Sequence, residues 1–247
     1  MILVLGGTYD SRKLTEALLE KEQQVVYSSV TEYNTSSLPD SHLLTQSIGC
    51  LDEKGLCALI ADKKITACVD ATHPYASEVS VNAINACSRM SIQYVRMERP
   101  RLMDDGKNVR GFSSYEEAVV YLKQQEGNIL LTTGSRQLEY YQPLSKERLI
   151  IRVLPTSKVL KKCEDLGYKP KNIIAVQGPF SYAANVNTIK EYDIRFLVTK
   201  DGGDVGGGAE KLKAAADLGV QTVFIKRPQI NYPMVRSDVQ GIMEILI

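Results

Sequence analysis

The stretch Met1-Ile2-Leu3-Val4-Leu5-Gly6-Gly7-Thr8 decides the reading of this chain. Five apolar residues make a strand and two glycines make a tight turn. Thr8 then starts a helix in which Leu14, Ala17 and Leu18 recur at i, i+3, i+4 between Lys13, Glu16 and Lys21. Such a turn seats phosphates: glycine lets the backbone approach a pyrophosphate, and a helix N-terminus offers N–H groups and a positive dipole end. Two adjacent glycines fall short of the full G-x-G-x-x-G pattern, and the same turn occurs in α/β proteins that bind nothing there. Tyr9 and Lys13 have the spacing of the Tyr-x-x-x-Lys dyad of short-chain reductases, but that dyad follows a later strand, so the match is coincidental.

A chain of 247 residues has room for one large or two small domains. With 44% hydrophobic and 24% charged residues and a formal net charge of +1, it carries no general attraction for nucleic acid or anionic lipid, so any anion site is local. No apolar run approaches the length of a membrane helix and the first residues are not a signal peptide, which gives the expectation of a cytoplasmic protein. Cys50, Cys57, Cys68, Cys87 and Cys163 are odd in number and scattered, with only His42 and His73 to assist them. Buried free thiols and no metal site are expected.

Strand-like runs follow at 24–30, 65–70, 92–97, 129–133, 149–154, 173–177, 196–199 and 220–226. Helical patterns intervene at 52–62, 77–90, 115–125, 156–166 and 209–218. This alternation specifies an α/β protein built of right-handed βαβ units and parallel sheets. Nine or ten strands exceed what one such sheet comfortably holds, and the polar, glycine-containing stretch 124–128 divides them into two lobes, 1–126 and 127–247.

In such sheets ligands lie beyond the carboxyl ends of the strands. The loops there are Asp70-Ala71-Thr72-His73-Pro74-Tyr75-Ala76, Gly134-Ser135-Arg136-Gln137, Gly178-Pro179-Phe180-Ser181 with Asn185, and Lys200-Asp201-Gly202-Gly203 with Gly206-Gly207-Gly208. Structural readings stand beside functional ones: His73 bonded to a loop carbonyl, the glycines as a plain turn, Arg227-Pro228 as a strand-end salt bridge. Lys200 and Lys211 flank the glycine loop and suit a carboxylate-rich or phosphate-bearing ligand.

Taken together these segments resemble the precorrin-6A reductase family, including its cobalt-precorrin-6A branch, nearly end to end. The resemblance rests on Gly6-Gly7-Thr8 with Arg12, Asp70 through Ala76, Arg96 through Pro100, Thr132 through Ser135, Leu154-Pro155, Gln177 through Ser181 with Asn185, Lys200-Asp201, Lys211 with Ala214-Ala215, and Arg227-Pro228. It implies two Rossmann-like lobes with the cofactor between them, and hydride transfer from NADPH or NADH to one C=C bond of the macrocycle. Two departures stand out. Tyr9-Asp10-Ser11-Arg12 replaces the usual Ser-Glu-Ala-Arg, and Gly202 replaces a serine that would offer a ligand hydroxyl.

On this reading Gly6, Gly7, Thr8 and Arg12 hold cofactor phosphates, with Thr72 and the turn Thr133, Gly134, Ser135 completing the site. Arg136, Lys200, Lys211 and Arg227 face the acetate and propionate groups of a tetrapyrrole, and Asp201 is a further substrate-binding candidate. Hydride transfer needs neither a protein nucleophile nor a metal. His73 and Tyr75 are the candidate proton donors, with solvent as the alternative. Ser28, Ser29 and Thr31 are neutral while Glu32 and Arg12 oppose each other, so NADH and NADPH stay open, as do cobalt in the ring and oligomeric state. The alternatives are a nicotinamide-dependent reductase of another large conjugated acid, and a nucleotide-binding sensor without turnover.

Overall fold

The computed structural model describes residues 1–31, 35, 38–101, 108–202 and 207–247. Two compact units are present, Met1–Pro100 with Pro228–Ile247, and Arg101–Arg227. The expected boundary at 126/127 is therefore corrected. The segment Val109–Phe112, expected in the first lobe, is a strand of the second unit's sheet, and the chain's last strand and helix belong to the first unit. Residues 124–128 are the turn that joins a helix to a strand inside the second unit, not a hinge.

In the first unit, β1 (Ile2–Leu5), β2 (Val25–Ser29), β3 (Leu44–Ile48), β4 (Ala67–Asp70) and β5 (Gln93–Met97) form a sheet with a short strand near the C-terminus, Val235–Arg236. Every pairing is parallel, and the order is β3-β2-β1-β4-β5 followed by that last strand. Strand alternation sorts the side chains onto two faces. Ile2 and Val4 join Leu14 and Leu18 of α1 (Tyr9–Glu20) on one face. Leu3 and Leu5 join Leu56 and Ile60 of α2 (Glu53–Asp62) and Ala83 and Ala86 of α3 (Ser77–Arg89) on the other.

The second unit repeats the plan with β6 (Val109–Phe112), α4 (Tyr115–Lys123), β7 (Asn128–Leu131), β8 (Leu149–Val153), α5 (Ser157–Asp165), β9 (Ile173–Ala175), α6 (Tyr182–Glu191), β10 (Ile194–Lys200), α7 (Gly208–Asp217) and β11 (Gln221–Ile225). Its all-parallel sheet runs β9-β8-β7-β10-β11-β6. Leu130, Ile150 and Leu197 pack under Ile189 of α6 and Ala214 and Ala215 of α7. The remaining elements, β12 (Val235–Arg236) and α8 (Val239–Leu246), complete the first unit. In each sheet the chain winds outward on one side and then returns to the middle to begin the other, which creates a switch point between β1 and β4 and another between β7 and β10.

All five cysteines are free. Cys68, Cys87 and Cys163 are buried as expected, whereas Cys57 is half-buried and Cys50 exposed. Among the described residues no helix is long and apolar enough to cross a membrane, and no group of His, Cys, Asp and Glu is placed to hold a metal ion.

Candidate functional residues at the switch point of each unit

At the first switch point the glycine turn is occupied by the protein itself. Gly6 N–H donates to Ser28 O (2.8 Å), and Gly7 N–H donates to the Tyr27 hydroxyl (2.8 Å). Thr8 and Ser11 form a capping box: Ser11 N–H donates to Thr8 Oγ1 (3.1 Å) and Thr8 N–H donates to Ser11 Oγ (3.0 Å). The Thr8 hydroxyl donates in turn to Ala71 O (2.8 Å), which ties β1 to the end of β4. Gly6, Gly7 and Thr8, expected to hold cofactor phosphates, thus have their own donors committed inside the protein. The open donors at the start of α1 are the amides of Tyr9 and Asp10, which have no hydrogen-bond partner among the described residues. Arg12 lies beside the Tyr9 ring (5.9 Å), and Arg99 holds the Asp10 carboxylate at 2.6 Å.

Thr72 is likewise committed inward. Its hydroxyl donates to Asp70 Oδ1 (2.6 Å) and accepts from Arg96 Nη1 (3.2 Å). Arg96, fully buried, also bonds Asp70 Oδ1 (2.8 Å), Thr72 O (3.1 Å) and Glu98 Oε2 (2.6 Å). Ser80 (2.5 Å) and Tyr94 (2.8 Å) donate to the other Asp70 oxygen. Burial, then the Asp70 charge, push the Tyr94 phenol up, so it stays a donor. The network is a clamp that fixes the loop after β4. On that loop His73 is exposed and its Nδ1 accepts from Tyr75 N–H (3.3 Å), with the two rings 5.7 Å apart.

At the second switch point Thr133 is buried, with its hydroxyl 3.4 Å from the Tyr141 hydroxyl, and Gly134 and Ser135 open the short helix Ser135–Tyr141. Asp201 and Arg227 are paired with each other: Arg227 Nε and Nη2 reach the two carboxylate oxygens at 2.9 Å each, and both residues are buried. Their expected role as substrate contacts gives way to a buried salt bridge, the structural reading of Arg227. Residues 203–206 of the glycine loop lie outside the described residues, as does Glu32.

What remains is a cluster of cations. Lys200 ends β10, and burial, with Arg136 nearby, pulls its ammonium down to about 8. Lys211 on α7 donates to Thr132 Oγ1 (3.2 Å); burial, then Arg152 and Lys200, pull it down to about 7. Arg152, in β8, lies 3.9 Å over the Phe180 ring and donates to Asn185 Oδ1 (2.9 Å); burial lowers it to about 10. Among the described residues Arg136, Arg152 and Lys211 form no ion pair. Sequence reasoning missed Arg152 because Leu149-Ile150-Ile151-Arg152-Val153 reads as a buried strand; its signal was a guanidinium in an otherwise apolar run, one residue before the strand end.

Two doubly wound parallel sheets, each with a switch point in its strand order and polar loops at its carboxyl ends, define a Rossmann-like α/β protein. A family model described as precorrin-6x reductase CbiJ/CobK matches residues 1–246, and the chain belongs to that family of reductases. It is similar to the cobalt-precorrin-6A reductase of Priestia megaterium, 36% identical over 100% of this chain and 98% of that one. The cobalt-precorrin-6A reductase of Methanothermobacter thermautotrophicus is 34% identical over 93% of this chain and 77% of its own length. A solved structure titled CobK precorrin-6A reductase superposes with a TM-score of 0.82 at 23% identity, covering 99% of this chain and 95% of that one, and so shares the fold.

Proposed function

We propose that the protein reduces one C=C bond of a precorrin-6A-type macrocycle, in its cobalt form, with a reduced nicotinamide nucleotide as the hydride source. The observation that carries the reading is the cluster Arg136, Arg152, Lys200 and Lys211 at the β7/β10 switch point, in a protein whose net charge is only +1. A concentration of positive charge in which Arg136, Arg152 and Lys211 form no ion pair among the described residues is expensive to fold and suits a ligand rimmed with carboxylates. The two named relatives support the cobalt branch.

The start of α1 fits a nucleotide phosphate in part. Tyr9 and Asp10 N–H groups face it at the positive end of the helix dipole, and Arg12 adds charge, while Arg99 offsets the Asp10 carboxylate. Gly6 and Gly7 bring the backbone close without supplying donors. A bound reduced nicotinamide would supply the hydride. The chain's own residues would orient the ring, and His73, Tyr75 or solvent would deliver the accompanying proton; a His73→Phe enzyme with normal turnover would remove the first. Alanine at Lys200 should raise KM for the ring at least tenfold while changing KM for the nicotinamide less than twofold. An effect on the nicotinamide alone would reassign the cluster to the nucleotide.

A further inference from the structure

We infer that Arg152 is a fixed carboxylate receptor for the ring, a binding residue additional to the loop cations; this rests on the reading of the site given above. Three facts converge on it. The residue is only 8% exposed, and its hydrogen-bond partner among the described residues is the neutral amide of Asn185. Asn185 is itself fixed, because its Nδ2 donates to Phe180 O (3.3 Å) and Ser181 O (2.9 Å). Phe180 supplies the stacking face under the guanidinium, and its carbonyl approaches Gly207 so closely that a Cβ there would lie 2.9 Å away. Gly207 also has φ +74, so both backbone shape and space require glycine there. The support of Arg152 is therefore itself held in place.

A guanidinium oriented on two sides and left without an acid is preorganised for an anion, and its planar fork matches a carboxylate in two-point contact. A structural arginine in the same protein looks different: Arg96 and Arg227 are equally buried, and each has at least one carboxylate within 3 Å. The surface next to Arg152 has the complementary property. Leu154 and Val176, just past the ends of β8 and β9, are about half exposed at 51% and 49%, and Val176 N–H bonds Val153 O (3.0 Å) between them. An apolar shelf beside a cation suits a flat conjugated ring carrying acid side chains.

Arg152→Gln and Arg152→Lys test this, compared with the unaltered protein by anaerobic titration with precorrin-6A and its cobalt form and by reduction kinetics and thermal melting. Expected are at least a tenfold rise in the ring dissociation constant for Gln and an intermediate rise for Lys. The KM for nicotinamide should stay within twofold, and the melting temperature of Arg152→Gln should be unchanged or higher, because a buried charge without an acid partner has gone. Ring affinity within twofold in Arg152→Gln would overturn the inference while leaving the reductase reading intact. So would equal losses for ring and nicotinamide with a lowered melting temperature, which mark a purely structural residue. If the unaltered protein neither binds nor reduces either ring, both fall.

Discussion

Gly6 has no room for a side chain, since a Cβ built there would lie 2.1 Å from Tyr27 Cζ. The contact lets the Tyr27 hydroxyl bond Gly7 N–H and Ser11 Oγ together. Gly6→Ala should therefore lower stability by about 1–3 kcal/mol, as overpacking does, read as a lower urea midpoint. An unchanged midpoint would mean that Tyr27 moves freely. Lys211 yields a second prediction at this scale. Its folded value of about 7 lies below the ordinary 10.5, so the folded chain releases the proton first. The cost of holding this ammonium is therefore full below pH 7 and is relieved as pH rises toward 10.5. Lys211→Met should raise the melting temperature at pH 6 and much less at pH 10, and an equal gain at both would contradict the cause. Ring affinity of the unaltered protein should begin to fall as pH rises above 7, and a flat profile from 6.5 to 9 would deny Lys211 a charge role.

At the scale of elements, most of the architecture was legible because strands buried on both faces read as continuous apolar runs. β3 escaped since Leu44–Ile48 is an edge strand with largely exposed side chains, β6 since Gly111 interrupts four residues, and β12 since two residues carry no period. α6 and α8 are short helices that the alternation did not single out. The same gaps misplaced the unit boundary, because β6 and β12 are the strands that join a sheet distant in sequence. α8 nonetheless carries fold energy: Ile242 is fully buried in the same cluster as Ile2, Val4, Leu14 and Leu18. Ile242→Ala should cost about 2–5 kcal/mol and speed amide exchange in β1 and β2. Protection lost in the second unit instead would contradict the assignment of α8. The clamp behind β4 makes a parallel case. Removing the Asp70 charge with Asn leaves Arg96 short of a partner and should cost about 3–5 kcal/mol by urea unfolding, and a loss below 1 kcal/mol would show the network to be dispensable.

Across the whole molecule, the glycine turn after β1 and the loops after β4, β7 and β10 fall at switch points, where the winding of a parallel sheet opens a crevice, whereas the loop at 178–181 follows the edge strand β9. That ligand loops follow strand ends was readable from the alternation of strands and helices; the strand order that makes switch points of them, and the roles of individual side chains, were not. Thr8, Thr72, Thr133, Asp201 and Arg227 are polar residues in the right loops, yet each is held by an internal partner that no spacing rule reveals. Arg152 is the converse case, a functional candidate in a segment that reads as core. The sensor alternative gives way to a reductase, because the chain matches a reductase family over residues 1–246. The most direct test is an anaerobic assay of the purified protein with precorrin-6A and with its cobalt form, each with NADH or NADPH, following nicotinamide absorbance and product mass. The account predicts that the cobalt ring gains two hydrogens, one as hydride and one as proton, for each nicotinamide oxidised. Nicotinamide oxidation without a mass gain in either ring, or nucleotide binding with no turnover, would contradict it.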